Sequence, residues 1–171
     1  MDAIGMSRRK FAIELAALAG AAVAGCGRAA ETAAKATSKG DGTAGRADAA
    51  MTVYRDPSCG CCEAWAALAR DAGYRVTVVD RPDMLAIKTK YGVPTSLSSC
   101  HTAVVAGYTL EGHVPLAQVA RLIETRPAGI RGLAVPGMPR GSPGMEMPDG
   151  TRDAFEVLAF DAAGRSRPFA G

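Results

Sequence analysis

Three of the five cysteines of this 171-residue chain fall within one four-residue stretch, Cys59-Gly60-Cys61-Cys62. Few features restrict a fold more, because thiols this close must bond to each other, hold a metal or lie in different surroundings. The strand-like residues Val53 and Tyr54 precede the stretch, and Pro57 and Gly60 punctuate it. The Ala-rich run from Cys62 to about Asp71 follows and reads as a helix, with Trp65, Leu68 and Ala69 on one face and Gly73 as its stop. Thiols at the first turn of a helix feel its positive end, which favours the thiolate. Thiolate is the form that binds soft metals and attacks disulfides, so both chemistries are open.

The compartment bears on that choice. Ser7-Arg8-Arg9-Lys10-Phe11 precedes an apolar run from Ala12 to Ala24, broken only by Glu14. A charged segment, a short apolar segment and small residues make a secretory signal over residues 1–25. Its paired arginines resemble a twin-arginine export signal, an ordinary secretory n-region being the alternative. The run is shorter than the ~20 residues that span a bilayer. Val23-Ala24-Gly25-Cys26 resembles a bacterial lipobox, which makes Cys26 the lipidated first residue of a membrane-anchored periplasmic lipoprotein. The four remaining cysteines would then work where disulfides persist. Residues 26–50 are small, polar and low in complexity, and read as a flexible tether to a domain over residues 51–171. A net charge of +3, with no basic patch interleaved with aromatics, gives no case for nucleic-acid binding.

Met51–Tyr54 and Val76–Asp80 read as strands around the first helix, and Pro82–Tyr91 as a second helix closed by Gly92. This order predicts an α/β domain containing a parallel βαβ unit. Thr102–Tyr108 reads as a third strand and Leu110–His113 as a turn or short strand. A third helix opens at Pro115, with Leu116, Val119, Ala120, Leu122 and Ile123 at helical spacing. Gly129–Gly150 is a Gly/Pro-rich loop carrying Met138, Met145 and Met147, and Ala154–Phe160 with Arg165–Phe169 reads as a terminal β-hairpin. The arrangement looks thioredoxin-like. In that fold a cis-proline faces the Cys-x-x-Cys, and Pro94 is the candidate. The departure is a Ser96–His101 segment carrying Cys100.

Four motifs recur together in one family: Tyr54 to Cys62, Ser99 to Ala103, Gly107 to Pro115 and Gly132 to Pro139. The chain resembles the small periplasmic metal-binding proteins that include the CopG-type copper-resistance proteins, over essentially all of Met51–Phe169. The resemblance implies a thioredoxin-like fold, a cysteine-lined site for more than one copper ion, a role in copper tolerance and, for some members, action on the copper redox state. Periplasmic copper or electron-transfer proteins would be the partners.

The residues agree with that chemistry. Cu(I) prefers thiolate and thioether ligands. Cys59, Cys61, Cys62 and Cys100 supply thiolates, His113 and His101 imidazoles, and Met138, Met145 and Met147 thioethers. Adjacent Cys61 and Cys62 cannot easily chelate one ion from a helix, and thiolates that bridge two ions relieve the crowding. The alternatives stay in view: a Cys59–Cys62 disulfide that is structural or catalytic, Cys61 as a small core residue, and Cys100 as a buried thiol. His113 is preferred to His101 because of its motif, and Asp56 and Glu63 are read as helix-end charge. The expected function is Cu(I) binding for copper tolerance, with a thiol–disulfide oxidoreductase using Cys59 and Cys62 as the alternative. A structural zinc site ranks last, since the spacing does not form paired knuckles.

Overall fold

A computed structural model describes residues 49–169. The export signal, Cys26 and nearly all of the tether lie outside the described residues. β1 (Ala50–Arg55) buries Met51 and Val53 at the two-residue period of a strand. α1 (Gly60–Asp71) buries Cys62, Trp65, Ala66 and Ala69, the spacing of one helical face. β2 (Arg75–Asp80) lies parallel to β1, with Val53 opposite Val78. The expected βαβ unit is present.

α2 (Met84–Lys90) begins two residues later than the sequence suggests. Asp83 caps it, its Oδ1 accepting the Ala86 N–H at 3.0 Å, so Pro82 lies just outside the helix. A single 3-10 turn, Thr95–Leu97, follows. β3 (His101–Val105) then runs antiparallel to β1 and pairs with β4 (Tyr108–Glu111). What reads as one long strand is therefore a hairpin. Its two-residue turn puts Ala106 (φ 49°) and Gly107 (φ 84°) in the left-handed region, as a tight β-hairpin requires.

α3 (Leu116–Thr125) buries Val119, Ala120, Leu122 and Ile123 and leads to β5 (Gly132–Ala134), parallel to β4. β5 has no counterpart in the sequence reading. β6 (Leu158–Phe160) and β7 (Ser166–Pro168) form the expected terminal hairpin, shorter than its apolar stretches. Among the described residues the strands make one seven-stranded mixed sheet in the order β2-β1-β3-β4-β5-β6-β7. None of these helices is long and apolar enough to cross a membrane.

Cross-strand register sorts the two faces. Val53, Ala103 and Leu110 share one face, which joins Trp65, Ala66 and Ala69 of α1 and Val119, Leu122 and Ile123 of α3 in the main core. Tyr54, Thr102 and Glu111 point to the other face, where α2 lies. There the Tyr54 and Tyr91 hydroxyls are 2.7 Å apart and Lys88 meets Glu111.

One expectation is corrected. No peptide bond among the described residues is cis, and Pro94 has φ −62° and ψ 136°. Its ring comes within 4.0 Å of where a side chain on Gly164 would begin, so it meets the β6–β7 turn. The place beside the Cys59–Cys62 stretch is taken by Cys100.

Candidate metal centre

The site begins where β1 ends. The Asp56 carboxylate accepts the Ser58 N–H at 2.8 Å and its carbonyl accepts the Cys59 N–H at 3.0 Å, turning the chain into α1. Asp56 thus shapes the turn, a local role close to the bland one assigned from sequence. Arg55 donates to the Cys59 carbonyl at 3.0 Å and pairs with Asp80 at 3.1 Å, which ties the loop to the end of β2. Cys59, at the N-cap, is disulfide-bonded to Cys62, with their Cα atoms 5.4 Å apart. Cys61 is free and half-buried, its Sγ 3.6 Å from that of Cys59.

Cys100 enters from the loop ahead of β3. Its Sγ and those of Cys59, Cys61 and Cys62 all lie within 4.8 Å of one another. The same sulfur is 3.0 Å from His113 Nε2 and 3.4 Å from His101 Nδ1, and these three atoms form a second group of the same compactness. Cys100 therefore belongs to both groups, one all-sulfur and one of two imidazoles and a thiol.

The second group could also hold a metal ion. His113 Nδ1 lies 2.7 Å from the Pro143 carbonyl, so Nδ1 carries the proton and donates, leaving the Nε2 lone pair directed at Cys100. His101 is fully buried, 4.8 Å from the Trp65 ring and edge-on to His113 at 5.1 Å. Its Nε2 has no hydrogen-bond partner. Burial holds both histidines below the ordinary imidazole range, for His101 with help from neighbouring His113 and Lys88. They are neutral at pH 7 and free to donate to a metal. Burial, and then the nearby Cys61, push the Cys100 thiol up to about 12.

Trp65 braces this corner, its fully buried ring donating Nε1–H to the Val114 carbonyl at 3.0 Å. The Gly/Pro-rich loop crosses the same corner. A side chain on Gly144 would begin 2.8 Å from the Trp65 amide nitrogen and 3.2 Å from the Cys61 carbonyl, so only glycine allows this approach.

Of the residues singled out from sequence, the structure brings together Cys59, Cys61, Cys62, Cys100 and His113. His101, weighed in the sequence as the lesser of the two histidines, joins them on equal terms. Met138 and Met147 are exposed and Met145, next to Gly144, is half-buried. Glu63 pairs with Arg70 at 2.8 Å on the helix surface. Sequence reasoning missed the buried pair Lys88–Glu111, whose carboxylate accepts the Ser99 N–H at 2.6 Å just before Cys100. Burial raises the Glu111 carboxyl, opposed by Lys88 and by the hydrogen bonds it accepts.

Soft donors at this density suit soft ions such as Cu(I). Four thiolates are available only after the Cys59–Cys62 bond has been reduced by two electrons. In the disulfide state Cys61, Cys100 and the two histidines remain as donors.

Two solved structures, forms 1 and 2 of "Copper resistance protein copG", are similar to this chain. The first is 45% identical with a TM-score of 0.66, covering 71% of this chain and 94% of that one. The second is 43% identical with a TM-score of 0.67, covering 72% and 97%. This chain belongs to the CopG copper resistance protein family. A family described as "Protein of unknown function, DUF411" matches residues 97–145, the stretch that carries Cys100, His101, His113 and Pro143. No curated protein matches the chain. In this CopG-family member the DUF411 stretch supplies Cys100 and both histidines, and the strand-to-helix turn before it supplies the other three cysteines.

Proposed function

We propose that this CopG-family protein binds more than one Cu(I) ion in its joined cysteine and histidine groups and serves copper tolerance. The observation that carries the reading is Cys100 Sγ, which lies within 4.8 Å of the sulfurs of Cys59, Cys61 and Cys62 and also of an imidazole nitrogen of each of His101 and His113. A thiolate so placed can bridge ions, which a mononuclear site does not require. The half-buried Met145 is taken as an additional thioether donor, and the exposed Met138 and Met147 stand as further candidates.

The frame for this site is thioredoxin-like. β1-α1-β2, α2, then β3-β4-α3 in sheet order β2-β1-β3-β4 supports that plan, with β5, β6 and β7 as an extension. The protein is proposed to act in the periplasm, exported on its twin-arginine signal and anchored by lipid on Cys26. Membrane release of Cys26→Ala, with loss of fatty-acid label, tests the anchor.

The reduced protein is expected to hold more than one Cu(I) per chain when titrated anaerobically, with thiolate-to-Cu(I) absorption in the ultraviolet. One or no tightly held copper, with all four thiols still titratable, overturns the reading. A second reading has its own support in the Cys59–Cys62 disulfide, a thiol–disulfide oxidoreductase with Cys59 as nucleophile. It requires metal-free disulfide reductase activity that is abolished by Cys59→Ser. Cys100 and both histidines have no task in it, which ranks it second. Turnover of the copper redox state joins the two readings, the dithiol supplying two electrons to two Cu(II) ions as the disulfide forms.

A further inference from the structure

Glu111 ends β4 fully buried in the sheet, an expensive position for a carboxylate. Two of its three side-chain partners, Ser99 and Thr102, belong to the segment that carries Cys100. Oε1 accepts the Ser99 N–H at 2.6 Å and meets Lys88 Nζ, while Oε2 accepts the Thr102 hydroxyl at 2.7 Å. Ser99 and Thr102 bracket Cys100 and His101. Lys88 comes from α2, is itself nearly buried, and also reaches the Thr102 hydroxyl at 3.4 Å.

The backbone around this carboxylate repeats the pattern. Gly112 N–H donates to the His101 carbonyl at 2.9 Å. A side chain on Gly112 would begin 2.3 Å from Ser99 Oγ and 2.6 Å from the Val135 carbonyl, so the loop lies against bare backbone. Ser99 Oγ donates to the Gly137 carbonyl, and Gly137 N–H donates to the Ser98 carbonyl at 3.2 Å. Ser98 to Cys100 is thus a loop held from three sides in the one register that carries Cys100 Sγ to both ligand groups.

A buried ion pair is weak evidence for stability, since apolar residues of similar size often replace one without loss. Its use is to hold a geometry. We propose that Glu111, kept in place by Lys88 and Thr102, is a positioning residue of the copper site: by accepting the Ser99 N–H it sets the Cys100 sulfur where the cysteine and histidine groups can share it. The inference rests on the copper reading given above, and the experiment separates the two.

Two double variants of the full chain are compared with the unmodified protein. Lys88→Met with Glu111→Gln removes both charges and keeps a carbonyl oxygen for the Ser99 N–H. Lys88→Met with Glu111→Leu removes that acceptor as well. Thermal melting confirms that each is folded. The readouts are the Cu(I) retained against a competing chelator and the alkylation rate of Cys100 in the reduced, metal-free protein, with Cys61 as internal reference.

The Gln variant should match the unmodified protein in both. The Leu variant should hold copper about 10- to 100-fold more weakly, as expected for loss of a ligand-orienting contact, and its Cys100 should react faster while Cys61 does not. Equal behaviour of the Leu variant and the unmodified protein overturns the proposal. So does an equal loss in both variants, because the Gln side chain keeps the acceptor. Failure of the unmodified protein to bind copper defeats the copper reading alone, and the alkylation ratio still tests the positioning. Hydrogen exchange in the unmodified, metal-free protein needs no variant. The Ser99 amide should exchange as slowly as those of β3, and a rate like that of the Ala162–Ala163 turn overturns the proposal.

Discussion

Cys100 is the residue on which the site turns, and its chemistry sets a measurable demand. With its thiol pushed up to about 12, it is protonated in the metal-free protein at neutral pH. Binding a metal must displace that proton, so Cu(I) loading at pH 7 should release acid and tighten as pH rises. A titration in weak buffer reads both, and Cys100→Ser should remove one proton from the count together with the copper shared by the two groups. The histidines give a second dependence. Folded His101 and His113 protonate at lower pH than they do in the unfolded chain. Their contribution to stability is therefore complete above about pH 6.5 and is lost as pH falls from there toward the folded values. Denaturant unfolding of the metal-free protein at pH 7.5 and 5.5 checks the direction, and His113→Gln should flatten the slope. The cysteines were legible at this scale because their crowding is local. The rank of His101 beside His113 was not, since what marks it is an orphaned Nε2, and that exists only once β3 is packed by Trp65.

Among the elements, the helix starts and close backbone approaches carry the specificity. Asp83→Ala removes the cap of α2 and should cost about 1 kcal/mol in thermal or denaturant unfolding without changing copper binding. Gly112→Ala should cost more, about 2 kcal/mol or above, because a β-carbon would meet fixed backbone at Val135 and sit at φ 71°. Its copper binding should fall as well, since Ser99 would be driven off. The parallel βαβ unit and α3 were readable, each having a periodic apolar pattern long enough to count. The β3–β4 hairpin was hidden because its turn is Ala106-Gly107, which lacks the Asn or Asp that announces two left-handed residues. β5 was hidden by brevity, as three buried residues show no alternation. The pairing of Lys88 with Glu111 left no mark, for nothing in a sequence tells a charged residue on a short helix that its partner lies across a sheet.

The whole domain shows its dependence on cross-links in a simple comparison. The Cys59–Cys62 bond closes so short a loop that its chain-entropy contribution is about 2 kcal/mol. Copper held across Cys59–Cys62, Cys100 and His113 would join segments far apart in the chain and stabilise by an amount that grows with the logarithm of its concentration over its dissociation constant. Reduction should therefore lower the melting temperature by several degrees, and Cu(I) added to the reduced protein should raise it well above that of the disulfide form. The donors also arrive in a definite order along the polypeptide. A chain that has emerged only as far as β2 presents three of the site's four cysteines and no imidazole. His113 takes its orientation from the Pro143 carbonyl, thirty residues further on. Metal that meets such a partial chain finds the thiols alone and can knit them in arrangements that the later segments must then undo. Refolding in the presence of Cu(I) should yield less native protein than refolding first and loading afterwards, so the timing of copper supply relative to chain completion becomes a determinant of yield.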